Sequence, residues 1–210
     1  MTGELRYVNL TKDLAAQCAA LELQAFPHAD PDDLLNQEDI EAYSEIFPEG
    51  FFVCLAGERV VGQGAGIFLD FDFDDIQHRI VEITGEHQCL KHDWSGDWYY
   101  GTDIVVHPDY RRRGIGKRLY ALRKEIVRQH NKRGIIAGGH PAGYVAHKDE
   151  LSIEAYLQGV KARGIYDPTL TFQMDNGFEI RGVLYDYLRD DGTGDASALI
   201  VWENPDYEPL

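Results

Sequence analysis

The stretch from Thr102 to Arg133 constrains this chain more than any other. It reads as a strand, Thr102–His107, then a Pro108-Asp109 turn, the basic loop Arg111-Arg112-Arg113-Gly114-Ile115-Gly116-Lys117, and a helix. In that helix Ile115, Leu119, Leu122 and Ile126 recur at helical spacing, so one face is apolar. A strand feeding a glycine-broken loop at a helix N-terminus is a device for holding phosphate. The first N–H groups of a helix lack partners within it, and the helix dipole is positive there. Glycine lets a bulky anion approach the main chain closely.

Charge strengthens this reading. The sequence holds 20 Lys+Arg and a net charge of -16. Half of those bases fall between Arg111 and Arg133, against one acid, Glu125. The segment is therefore about +9 and the remainder about -25. A positive island on an acidic protein suits a small polyanionic ligand. A plain helix with a solvated basic face would account for the bases, but not for Gly114 and Gly116 at the helix start. The overall acidity argues against nucleic acid or an anionic membrane as a main partner, and it would suit a cationic second substrate such as an amine.

At 210 residues the chain can bury a sizeable core. It shows no repeat and no linker, so one domain over 1–210 is expected. Cys18, Cys54 and Cys89 are scattered and odd in number, which fits a reducing cytoplasm rather than a disulfide framework. No apolar run approaches the roughly 20 residues that span a bilayer. Met1-Thr2-Gly3-Glu4-Leu5-Arg6 lacks the pattern of a signal peptide.

The expected elements run in order. A strand over Leu5–Leu10 precedes a helix capped by Thr11 or Asp13, with Leu14, Cys18, Leu21 and Ala25 on one face. A second helix starts at Asp30-Pro31 and runs, with a break, to Phe47. A hairpin turns about Gly57-Glu58. Its second strand carries Gly62, Gly64 and Gly66, whose bare face implies a bulge or close packing by another group. Residues 70–97 read as an ordered insertion with a short helix near Asp75–Ile80. The strand Trp98–His107 and the Gly114 helix lead to a buried strand, Gly134–Gly139. An extra helix at about 149–163, a short helix at Thr169–Asn176 and two final strands, Gly177–Tyr185 and Ala198–Trp202, complete the chain. This is an α/β (α+β) chain with a mixed central sheet. Its ligand site is expected where the strand ending near His107 diverges from its neighbour.

The strand with Pro108-Asp109-Tyr110-Arg111-Arg112-Arg113-Gly114-Ile115-Gly116-Lys117 resembles the acyl-CoA pyrophosphate loop of the GNAT acetyltransferase superfamily. The later Leu170-Thr171-Phe172-Gln173-Met174-Asp175-Asn176-Gly177-Phe178 resembles that family's short helix running into Gly-Phe. Ile46–Gly50, Glu82–Gly85, Ile136–Gly139, Tyr166–Gln173 and Trp202–Tyr207 are together similar to the GNAT domain fused, in some bacterial proteins, to a nitrilase-type hydrolase. The resemblance implies a GNAT-like acyl-CoA transferase fold, with a mostly antiparallel sheet flanked by helices. The chain ends just after the last of these motifs, so a GNAT domain without a hydrolase is expected, and a separate nitrilase-type hydrolase becomes a candidate partner. The implied function is acetyl-CoA-dependent acylation of a small-molecule or peptide amine. The alternatives are a non-catalytic acyl-CoA-binding module and, last, a site for another nucleotide. Carried over by motif, the backbone of Ile104, Val105 and Val106 would pair with the pantetheine arm. The N–H groups of Arg112, Arg113, Gly114, Ile115, Gly116 and Lys117 would hold the pyrophosphate, flanked by Arg111. A homodimer is expected on base rates.

Catalysis is harder to place. Attack by an amine needs loss of a proton, a donor for the thioester oxygen and a stable leaving group. Many members of the family carry a Tyr acid four residues before Gly177, where this chain has Gln173. Tyr166, and behind it Tyr156, are substitutes. Glu82 in Glu-Ile-Thr-Gly and Asp103 on the strand are the candidate bases. The His87-x-Cys89-x-x-His92 run matches no strong zinc spacing, so no metal is expected.

Overall fold

The computed structural model describes residues 4–209. Met1, Thr2 and Gly3 of the segment read for a signal peptide, and Leu210, lie outside them. Seven strands form one sheet in the order β1-β2-β3-β4-β5-β7-β6: β1 (Leu5–Asn9), β2 (Phe52–Ala56), β3 (Arg59–Leu69), β4 (Trp98–Val106), β5 (Gly134–Gly139), β6 (Glu179–Leu184) and β7 (Ser197–Glu203). Every pairing is antiparallel except β4 with β5. That one parallel pair requires a crossover, and α4 (Ile115–Gln129) supplies it. α4 packs on β3, β4 and β5, while α1 (Ala15–Ala25) and α2 (Gln37–Ile46) pack together over the opposite face of β3 and β4.

The hairpin forms as the sequence predicts. Ala56 pairs with Arg59 across Gly57-Glu58, and Gly57 sits at φ 66°, a conformation glycine adopts without penalty. The bare face of β3 has both expected causes. A bulge lies between Ala65 and Gly66, and three side chains fill the gap. A Cβ at Gly62 would lie 2.8 Å from Ile115, one at Gly64 3.3 Å from Arg123, and one at Gly66 2.3 Å from the Tyr99 ring.

Three local expectations shift. No side chain caps α1; a 3-10 turn at Lys12–Leu14 leads into it instead. The break in the second helix is complete. Asp30 closes a 3-10 turn by accepting from Asp32 N (3.0 Å), the chain extends at Leu34, and α2 restarts from Asn36. There Asn36 Oδ1 accepts from Asp39 N and Asp39 Oδ2 from Asn36 N, both at 3.1 Å, which satisfies two orphan donors reciprocally. The insertion's helix α3 falls at Ile80–Thr84 rather than Asp75–Ile80. Asp72 holds a turn by accepting from Asp74 N, so helix begins only where Glu82 can cap Arg79 N (3.1 Å) and Ile80 and Thr84 can be buried. The helices α5 (Ile153–Lys161) and α6 (Leu170–Asp175) flank β6.

Candidate functional site

Strands β4 and β5 part company. Their ladder runs from Trp98–Gly134 to Gly101–Ala137 and stops. β4 continues to Val106, paired on its far side with β3 from Ala65 to Gly62. β5 continues through Gly138 and Gly139, paired with β7. The backbone of Thr102–Val106 on the β5 side is thus a free strand edge, and unpaired edge groups are a template for an extended ligand. Thr102, Ile104, Val106 and Gly138 are all partly exposed despite lying in the middle of a seven-stranded sheet. The divergence of the two strands opens a cleft there. Ile104 and Val106 lean toward α4, whereas Val105 is buried on the α1 side.

The free edge leads straight to the basic loop. Arg111 Nε donates to Val106 O (3.2 Å), which ties the loop to the end of β4. Gly114, at φ 82°, is the N-cap of α4, and no side chain caps that helix. Arg112 also lies at positive φ, 60°, so the backbone curls through two left-handed residues just before the helix. Such curls gather N–H groups into an anion-binding concavity. Arg111, Arg112, Arg113, Lys117 and Arg118 are exposed around it, with Arg113 over the Tyr110 ring. Gly116 faces Phe172 of α6, where a Cβ would lie 3.1 Å from the ring. Ile115 contributes its backbone to the loop while its side chain fills the notch at Gly62.

The positive island is smaller than the sequence count suggests. Arg123 is buried, Lys124 holds Asn176 O, Arg128 pairs with Asp206, Lys132 holds Trp94 O and Arg133 pairs with Asp97. Those five cations serve the fold, and only the loop and first turn present free charge.

On the α1 side of β4, Asp103 lies buried beside Glu22 of α1, and Gln63 Nε2 donates to both, at 2.7 Å and 3.1 Å. Burial and repulsion from Asp103 raise Glu22 far above the ordinary carboxylate range, and burial raises Asp103 too. Through the glycine-lined sheet, Arg123 supplies the compensating charge. Its Nη2 donates to Ala65 O (2.6 Å), and its guanidinium lies between Tyr99 and Tyr120. Glu22 escaped the sequence reading. Its signal is an acid placed four residues after Cys18 on the buried face of an apolar helix.

The other sequence candidates are dispersed. Glu82 is exposed on α3, where its carboxylate caps Arg79 N. Tyr166 is 74% exposed on the loop before α6. Tyr156 donates to Asp167 Oδ2 (2.8 Å), a structural bond that also receives Gly143 N. Gln173 is buried and donates to the Tyr120 hydroxyl (3.1 Å), leaving its Oε1 without a partner. His140, directly after β5, was also missed. Its Nδ1 is buried without a partner, and burial lowers its pKa against the opposing pull of Asp190 and Asp167. His92 accepts from Phe68 N (3.1 Å) and stacks on Phe47, while His87 is buried apart. Among the described residues no group of three or more His, Cys, Asp or Glu is arranged to hold a metal ion. No helix among them is long and apolar enough to cross a membrane, and all three cysteines are free and buried.

Residues 15–148 match the model of the acetyltransferase (GNAT) family. The chain is 35% identical over 190 residues to the probable hydrolase YhcX of Bacillus subtilis; the match takes in 90% of the chain but only 36% of that protein's length. It is 28% identical over 201 residues to the uncharacterized N-acetyltransferase YkwB of the same organism, covering 95% of the chain and 89% of that relative. Among solved structures, the loading GNATL domain of CurA from Lyngbya majuscula superposes with a TM-score of 0.81 at 17% identity, covering 96% of this chain and 98% of that one. The GphF GNAT-like decarboxylase in complex with isobutyryl-CoA gives 0.79 at 20% identity, covering 95% and 99%. Both share the fold.

Proposed function

This chain belongs to the acetyltransferase (GNAT) family, and on that premise we propose that it moves an acetyl group from acetyl-CoA directly to an amine of a small molecule or peptide. The observation that carries the reading is the free edge of β4 running from the β4–β5 fork into the uncapped, left-handed start of α4. The edge at Ile104, Val105 and Val106 would pair with the pantetheine amides as an added strand does. The N–H groups from Arg112 to Lys117 would hold the pyrophosphate, with Arg111 beside them. A backbone N–H at the fork would donate to the thioester oxygen as negative charge develops there. With Gln173 unable to protonate a leaving group, the thiolate departs unaided, which a thiol pKa of about 8.5 permits.

Glu82, Asp103 and Tyr166 are the acids and bases this reading has to test, by comparing kcat for Glu82→Gln, Asp103→Asn and Tyr166→Phe. Calorimetric titration with acetyl-CoA tests the whole. Wild type binds, and Gly116→Glu, which sets a carboxylate in the anion site and crowds Phe172, does not. Absence of binding by wild type sinks the reading. The proposal extends to a homodimer and a nitrilase-type hydrolase partner, to be tested by light scattering and by pull-down.

A second reading is loss of CO2 from a carboxyacyl-CoA, favoured by His140. Its unpartnered buried nitrogen stands at the carboxyl end of β5, where it could return a proton to the carbanion left behind. Incubation with malonyl-CoA decides it: acetyl-CoA and CO2 appear, and His140→Ala abolishes them.

A further inference from the structure

A chain of three polar side chains runs from the insertion between β3 and β4 to the cleft. His78 lies 2.8 Å through Nδ1 from Ile76 O and 2.6 Å through Nε2 from the Tyr100 hydroxyl. Tyr100 in turn lies 3.1 Å from the Tyr187 hydroxyl. Tyr100 is on β4, one residue before the last β4–β5 pair, and its ring faces away from α4. Tyr187 lies over Gly138, the first residue of β5 past the fork, and its oxygen faces the Gly138 N–H. A Cβ there would be 2.3 Å from the ring, so the glycine is what admits it. Tyr100 and Tyr187 are buried, His78 is half-buried at the outer end, and Gly138 is partly exposed at the inner end.

The hydrogen-bond directions follow from the inventory of donors. A carbonyl only accepts, so Nδ1 carries the histidine's hydrogen and Nε2 is the acceptor. Tyr100 therefore donates to His78, and having one hydrogen it must accept from Tyr187. The Tyr187 oxygen then presents lone pairs toward the Gly138 side. Every hydrogen points outward from the cleft to His78, the order a proton relay needs.

Resting on the acyl-transfer reading above, we propose that Tyr187, Tyr100 and His78 carry the proton released by the acceptor amine from the fork to solvent. An ammonium substrate loses two protons as its nitrogen bonds to the acetyl carbon and the C–S bond breaks. One ends on the departing CoA sulfur. The other is the net product proton. It passes to the Tyr187 oxygen while the Tyr187 proton moves to Tyr100 and the Tyr100 proton to His78 Nε2. The half-exposed imidazolium then turns its Nε2–H from Tyr100 to water and loses that proton, which restores the Nδ1–H tautomer.

The surroundings suit that task. The charged group facing His78 is Glu82 of α3, whose carboxylate favours the imidazolium, while burial favours the neutral ring that must first accept. The remaining neighbours are the Phe71, Tyr100 and Tyr187 rings. Both tyrosines are pushed up by burial, Tyr187 to about 12, so they pass protons without ionising near neutrality. The segment is also fixed in place. Gln77 donates to Val183 O and accepts from Tyr185 N, and Ile80 N donates to Tyr187 O, which clamps His78 between two anchored residues.

The test uses the whole chain, acetyl-CoA and a panel of primary amines, with thiol release as the assay. Variants are His78→Gln, which keeps an acceptor for Tyr100 but no titrating nitrogen, Tyr100→Phe and Tyr187→Phe. Each should lower kcat roughly 100-fold, the order of a lost acid–base group. Acetyl-CoA affinity by calorimetry and the thermal midpoint of His78→Gln should match wild type. The acidic limb of the kcat–pH profile should vanish in His78→Gln and persist in Glu82→Gln at lower pH. Normal turnover with an unchanged acidic limb in His78→Gln overturns the relay alone. Acetyl-CoA binding without turnover of any amine overturns the transfer reading and the relay with it, and failure to bind acetyl-CoA overturns the cofactor assignment itself.

Discussion

The two faces of β4 are built on opposite principles. Toward β5 and the start of α4, the strand offers backbone: a free edge and a loop of N–H groups and exposed cations. Toward α1 and the insertion, it offers side chains: the Asp103–Glu22 pair, and Tyr100 with its hydroxyl chain. Backbone recognition tolerates most side-chain changes and depends on conformation. Buried titratable groups tolerate few changes, because each charge is compensated by a particular neighbour. Ligand binding and protein stability should therefore respond to different substitutions, although the sites lie along one strand.

The strongest break in that contrast is Arg123→Ala. Removing the cation leaves the acid pair uncompensated and opens a hole between Tyr99 and Tyr120. A loss of about 3–5 kcal/mol in urea-denaturation stability is expected, with no loop residue touched. A smaller effect comes from pH. Glu22 is raised in the fold above its unfolded value of about 4.3, so the native state holds more protons above that pH and stability falls as pH rises. Glu22→Gln removes this titration. Its stability between pH 5 and 8 should be flatter than wild type, and a parallel slope would refute the raised Glu22.

At the exposed loop, Arg111→Ala should weaken acetyl-CoA about 10-fold by calorimetry, a shift of about 1.4 kcal/mol, while leaving the urea midpoint nearly unchanged. The loss should shrink at high salt, since the loop is exposed. Smallest is Gly114→Ala. A Cβ there meets open space, but φ 82° strains any L-residue, so about 1 kcal/mol of stability should be lost along with some affinity. Equal stability losses from Arg111→Ala and Arg123→Ala would erase the distinction between exposed recognition groups and buried compensated charge.

How much was legible follows from the same contrast. The loop, the hairpin turn, β5 and the Gly114 helix are local, and periodicity with glycine placement identified them within a residue or two. The charge island was misjudged in size, because a count along the sequence cannot tell that Arg123 turns inward and Arg133 reaches Asp97. The insertion helix starts five residues later than composition implies, because its start depends on a cap and on buried contacts. Asp103 was identified as an acid on a strand, but Glu22 lies 81 residues away in the chain, so nothing local linked them.

The sequence by itself determined that a strand, a left-handed glycine and an uncapped helix start would follow one another, since these ingredients are consecutive. Tertiary structure alone decided that β4 and β5 fork after Gly101, that Gln173 is tied to Tyr120, and that His78, Tyr100 and Tyr187 form one line into the fork. Those features are set by the packing of segments far apart along the chain. Hydrogen bonds of 3 Å between such segments depend on how the whole sheet twists and closes, which no window of sequence contains.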